Sequence, residues 1–515
     1  MKNYYIIKSV GILALMTLLT SVVAARKPAT VNLTPEGEKL EAHYSKMLED
    51  LKQEITRLEP KVDEKKKDEF TKQLGALGNV PPITKNVMQP LSKAVREVTL
   101  KCDPGNPAFV EQQKEVLLAA RAALKNVDVF LADDKHYANL AKFAFLSHAT
   151  PNRLAKFAEQ GEEERALIDD LLNDDELVAQ VMLLGGSGDY GQAMRSYRAI
   201  QKTTERSHEG FYQTWALAVS LRYCGTSYIY PGPTEESLVK YYLNYLKAYD
   251  EGVLDPAFSK LGGTGWNYRF VFPDSYGLED IEWMRKVMRN YRPDHMRLPY
   301  NWRYCRIVKT DVPYGSQMNP ARPDLNLSGI QNSLLVGGIC GARSFAGQVS
   351  CYAFGIPTLR APSPGHGAMA HWTPDGWTTV LGPHFYFCSH IGGYPPMEFL
   401  LESQARQDPE GFKQVMCEWL GKALSEAVPS NYGSSGGFWP LLGYYKKRAI
   451  VEDEKIKDQG ATGEELAESN VSSEKEEIEK IEIPKGFRIV TVSEDGTITI
   501  PVAACKSPKN GKLIR

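Results

Sequence analysis

The chain of 515 residues is long enough for roughly three domains of about 150 residues each, which excludes a single small module. Hydrophobic residues make up 43% and charged residues 24%, the balance of an ordinary globular protein, so wholesale disorder is excluded and sizeable cores are expected. With 61 Lys+Arg against 63 Asp+Glu the net charge is −2, and no basic excess draws the chain to nucleic acid.

Residues 1–25 carry a short basic segment (Lys2, Lys8), an apolar run from Val10 to Ala25, and small residues ending in Val23, Ala24 and Ala25 before Arg26. That order is the pattern of a secretory signal peptide, and the run is short of the roughly 20 residues of a spanning helix. The expected location is therefore secreted or periplasmic, soluble after cleavage and without stable membrane insertion. Eight cysteines are too few for a disulfide-built scaffold. No CxxC pair and no His/Cys cluster at zinc spacing occurs, so neither a metal nor any other cofactor is expected.

From Thr34 to Tyr223 apolar residues recur at three- and four-residue steps, beginning with Leu40, Tyr44, Met47, Leu51, Ile55 and Leu58. Thr34 is placed as a helix N-cap with Pro35 at the first helical position, which predicts a helical domain over residues 26–230. Within it Gly186, Gly188 and Gly191 match GxGxxG, but no strand–helix–strand alternation surrounds them. They read as a loop between helices, with Asp189 capping the next one. Residues 231–431 are aromatic-rich and mixed. Trp266, Trp302, Trp372 and Trp377 raise a minor third reading, stacking platforms for a sugar. Residues 432–481 form a charged linker, and residues 482–515 hold two β-rich runs around Glu494, Asp495 and Gly496, the pattern of a β-hairpin.

The chemistry is concentrated in residues 337–381. Gly337, Gly338 and Gly341 bracket Cys340, and Ala342, Phe345, Ala346, Val349 and Ala353 then follow at helical steps. Cys340 is thus placed at a helix N-terminus, where free N–H groups and the helix dipole favour a thiolate, the nucleophilic form of cysteine. The helix stops at Gly355, and Ile356 to Arg360 read as a strand. After a Pro/Gly-rich loop come His366 and His371, then a short turn and Trp377 to Val380 as a second strand. An imidazole presented there supplies the base of a Cys/His pair. Cys351, about three turns along the helix from Cys340, is too far away to share its chemistry and reads as packing.

These residues resemble the transglutaminase-like superfamily of papain-like cysteine enzymes. The ordered set is Cys340 opening a helix, Gly355-Ile356-Pro357 ending it, His366, and Gly376-Trp377 before another strand. The resemblance implies Cys340 as nucleophile, with His366 preferred as general base and His371 as the alternative. It also implies an α+β fold in which a transglutaminase-like domain, its Cys-bearing helix packed on an antiparallel sheet, follows the helical N-terminal lobe. The family's orienting Asp position is Leu381 here, so a polar side chain or a backbone carbonyl must orient the imidazole. His384 is the nearest candidate in sequence. Gln331, nine residues before Cys340, is a candidate oxyanion donor beside the Cys340 N–H. Two functions follow: an exported enzyme transferring the acyl group of a protein or peptide amide through a Cys340 thioester, or a scaffold that keeps the fold and has lost its third catalytic residue.

Overall fold

The computed structural model describes residues 32–77, 107–124, 127–187, 189–223, 234–273, 276–312, 314, 325, 327–363, 366–381, 388–428, 436–453, 491–492 and 498–499. The expected signal peptide, the part of the expected 432–481 linker beyond Asp453 and the turn of the C-terminal hairpin lie outside them, while residues Phe438–Asp453 of that expected linker form a helix that joins the core. The chain divides into two compact units, Met1–Asn470 and Val471–Arg515. In the second, β4 (Thr491–Val492) pairs antiparallel with β5 (Ile498–Thr499). The larger unit, mostly helical with one small antiparallel sheet, is α+β.

Helices α1 (Pro35–Arg57), α2 (Glu64–Leu77), α3 (Pro107–Leu124), α4 (Val127–Leu131), α5 (Asp134–Ala149), α6 (Pro151–Ala158), α7 (Glu162–Asn173), α8 (Asp175–Leu183), α9 (Tyr190–Gln201) and α10 (Gly210–Tyr223) follow one another without a strand among the described residues. The capping expected from sequence is present. Thr34 Oγ1 accepts from Gly37 N at 3.1 Å and Asp189 Oδ1 from Gln192 N at 3.1 Å, each satisfying an N–H that the first turn leaves unpaired. The glycine-rich stretch before α9 is the connection from α8. α10 is buried from Trp215 to Leu221, as expected of a helix that is apolar on every side.

After α11 (Glu235–Asp250) and α12 (Leu278–Tyr291) come α13 (Ile307–Thr310), α14 (Gly329–Val336) and α15 (Cys340–Ala353). α15 packs against α12, α13 and a three-stranded antiparallel sheet of order β1 (Thr358–Arg360), β2 (Met369–Thr373), β3 (Gly376–Val380). Thr358 pairs with His371, and His371 in turn with Thr378. Residues Met369 to Thr373 are all buried, because the helix covers one face of β2 and other segments cover the other. Helices α16 (Pro396–Ala405), α17 (Pro409–Lys413), α18 (Cys417–Ala423) and α19 (Phe438–Asp453) close the unit.

One hydrophobic core runs from Leu40 to Tyr445. Trp266, Trp372 and Trp377 belong to it, at 4%, 6% and 2% exposure, so they are core residues and present no face to a sugar ring. Trp377 Nε1 is spent on Asn267 Oδ1 at 3.0 Å. A half-buried charge cluster braces the C-terminal helices: Glu402 on α16 pairs with Arg406 at 2.9 Å and with Lys447 on α19, which also reaches Glu418 on α18 at 2.8 Å.

Candidate active site

Cys340 is the first residue of α15, as the glycine bracket predicts. The residue before it, Ile339, is the N-cap and has no side-chain acceptor, so no side-chain cap occupies the open N–H groups of the first turn. Gly337, at φ 78°, ends α14 in the left-handed region and turns the chain sharply into α15. The cysteine is half-buried, and it is a free thiol, as are Cys305 and Cys351.

His366 stands in the connection between β1 and β2. Ser363 and His366 exchange two backbone hydrogen bonds, of 3.1 and 3.0 Å, which pinch the connection into a tight loop. The next residue seats that loop on the cysteine: Gly367 N donates to Cys340 Sγ at 3.3 Å. A Cβ on residue 367 would lie 2.8 Å from Gly341 Cα and 3.0 Å from Gly341 N. Only glycine lets the two backbones approach so closely.

The imidazole is buried, and its Nε2 is hydrogen-bonded to the backbone carbonyl of Leu381. A carbonyl only accepts, so Nε2 carries a proton, and in the neutral ring Nδ1 is then the basic nitrogen. Leu381 immediately follows β3 and adopts φ 60°, left-handed for a residue with a side chain. That conformation costs roughly 1–2 kcal/mol; the Leu381 side chain, 1% exposed in the core, helps hold it. The position that lacks a carboxylate in sequence thus places a main-chain acceptor on the histidine.

The other sequence candidates fall elsewhere. His371, 1% exposed in β2, turns Nε2 toward Asn301 O (3.2 Å) and Cys305 Sγ (3.7 Å); its sulfur contact is Cys305. Gln331 belongs to a capping box at the start of α14: its Oε1 accepts from Ser328 N at 3.0 Å, while Ser328 Oγ accepts from Gln331 N at 3.4 Å. Its side-chain oxygen serves the helix end. His384 lies outside the described residues. The Cys305–His371 contact escaped the sequence reading because its partners are 66 residues apart and neither has a distinctive local motif. No family model, no curated protein and no solved structure matches the chain.

Proposed function

We propose that the protein is a cysteine-dependent acyl-transfer enzyme of transglutaminase-like type, acting on protein or peptide amides after export to a secreted or periplasmic location. Among the described residues no helix is long and apolar enough to cross a membrane. The observation that carries the reading is the Leu381 carbonyl on His366 Nε2, because it answers the missing Asp with a different acceptor. With Nε2–H engaged, Nδ1 is the nitrogen free to take the thiol proton.

In this reading Cys340 Sγ attacks the amide carbonyl carbon and His366 holds the thiol proton. The tetrahedral oxyanion forms at the mouth of α15, where the uncapped N–H groups of the first turn and the dipole's positive end stabilise it. His366 then gives its proton to the departing amine as the C–N bond breaks, leaving a Cys340 thioester. Water or an amine attacks that thioester in a second step, with His366 again as base. Ile339, 45% exposed beside the cysteine, gives the mouth an apolar shoulder suited to an uncharged side chain of the acyl substrate.

The second reading, a non-catalytic scaffold, is favoured by the same position: a carbonyl dipole stabilises an imidazolium less than a full carboxylate charge does. Incubation with an activated ester and intact-mass analysis separates the two. The enzyme reading expects an acyl adduct on Cys340 that forms in a burst and is lost in His366→Ala; absence of any Cys340 adduct from the folded protein favours the scaffold.

A further inference from the structure

Cys305 and His371 make a second thiol–imidazole pair, sealed inside the fold at 0% and 1% exposure. It is built from three places in the chain. Cys305 lies just before α13, His371 in the middle strand, and Cys351 near the end of α15. Their approach is fixed by the neighbouring residue Tyr304, whose carbonyl accepts from Ser350 Oγ at 3.2 Å and whose ring stacks on Phe354 at 4.4 Å. Its hydroxyl donates to the buried Asp255 carboxylate at 2.6 Å.

Both ring nitrogens of His371 face backbone carbonyls: Nδ1 faces Trp372 O at 3.1 Å and Nε2 faces Asn301 O at 3.2 Å. Carbonyls only accept, so the ring satisfies both contacts only when both nitrogens carry protons. A buried imidazolium calls for an anion, and the polarizable group at 3.7 Å from Nε2 is Cys305 Sγ. Cys305 and Cys351 each follow one partner of the 3.2 Å Ser350 Oγ–Tyr304 O hydrogen bond, which brings their two segments together. Burial opposes charge on all three groups. Against it, Cys351 and the imidazole hold the Cys305 thiol below its ordinary range, and the Cys305 charge raises His371. Burial, with Cys305 beside it, pushes Cys351 well above. The imidazole contact is to Cys305, so of the two sulfurs Cys305 is the one set to attack and Cys351 the one set to resolve. Among the described residues no three His, Cys, Asp or Glu side chains are grouped to hold a metal ion.

We propose that Cys305 and Cys351 are a redox dithiol that a small peroxide oxidises to an intramolecular disulfide, with His371 as the cation that holds the attacking thiolate. A pair this deeply buried is reached by an oxidant as small as hydrogen peroxide more readily than by a bulky disulfide. Cys305 Sγ attacks one peroxide oxygen; the O–O bond breaks, and the departing hydroxide takes a proton from the His371 imidazolium and leaves as water. The sulfur loses two electrons, the peroxide gains them, and Cys305 becomes a sulfenic acid. Cys351 then gives its proton to His371 and attacks that sulfur. The S–S bond forms as the S–OH bond breaks, and the hydroxide recovers the proton as a second water. The product ties the Cys305 segment to the helix that begins at Cys340.

The test uses the full chain as Cys340→Ser, so that it stands apart from the acyl-transfer reading. Hydrogen peroxide treatment followed by peptide mapping without reduction is expected to show a Cys305–Cys351 linked peptide, a loss of two hydrogen masses, and reversal by a thiol reductant. In Cys340→Ser/Cys351→Ser, Cys305 stops at a sulfenic acid, which dimedone traps when the protein is unfolded in its presence. His371→Gln slows linkage by about tenfold or more, since the thiolate loses its cation. Recovery of both thiols unlinked while the half-buried Met47 and Met296 are oxidised overturns the proposal. So does oxidation of Cys305 to sulfinic acid with Cys351 intact, and so does linkage at an unchanged rate in a folded His371→Gln protein.

Discussion

His366 is hydrogen-bonded through Nε2 to the main-chain carbonyl of Leu381, a residue that holds φ at 60°. The acceptor is a backbone atom, so no side-chain substitution at 381 removes it directly. Leu381→Ala is expected to destabilise the fold by about 2–5 kcal/mol through the cavity it leaves. In the fraction that remains folded, iodoacetamide should label Cys340 at a rate within about threefold of the parent. A loss of labelling without unfolding, read by circular dichroism alongside the rate, would show that the side chain itself orients the histidine.

Gly367 sits where the loop meets the helix, and its N–H is the donor to Cys340 Sγ. Gly367→Ala places a methyl 2.8 Å from Gly341 Cα, so the loop must lift and the donor is withdrawn. A hydrogen bond to a charged group is worth about 1.5–3 kcal/mol, which predicts Cys340 alkylation at neutral pH slower by roughly ten- to a hundredfold. Unchanged alkylation of a folded Gly367→Ala protein counts against a thiolate held by this amide.

Glu402 carries a pH-dependent share of stability. Burial opposes its charge, but Lys447 and Arg406 overcome that and hold it down to about 2, from an ordinary 4.5. A depressed carboxyl contributes fully above its unfolded value and loses that contribution as pH falls from 4.5 toward 2. Denaturant titrations across that window should show falling stability, less steeply in Glu402→Gln. At neutral pH the substitution should cost about 1.5–3 kcal/mol, because Arg406 loses its carboxylate and Lys447 keeps only Glu418. A stability loss under about 1 kcal/mol at neutral pH places the cluster with weak surface pairs.

What the sequence makes legible is what a local pattern encodes. Thr34 and Asp189 cap their helices, and the glycines around Cys340 mark the start of α15, because N-caps and turns depend on residue type within a few positions. The strand Met369–Thr373 is harder to see: it is buried on both faces and shows no alternation of polar and apolar residues. The acceptor for His366 has no sequence signature, because every residue has a carbonyl and only the left-handed turn at Leu381 aims this one. Cys305 meets His371 and Cys351 through tertiary packing alone, at a separation over which no spacing rule operates.

The central claim, that Cys340 and His366 act together, is tested most directly by the rate of Cys340 alkylation at neutral pH in the parent and in His366→Ala, with unreacted sites mapped by mass spectrometry. The account predicts that Cys340 reacts ahead of the other thiols, and that His366→Ala slows it by about tenfold or more. Alkylation at the same rate in both proteins, each shown to be folded, would contradict it.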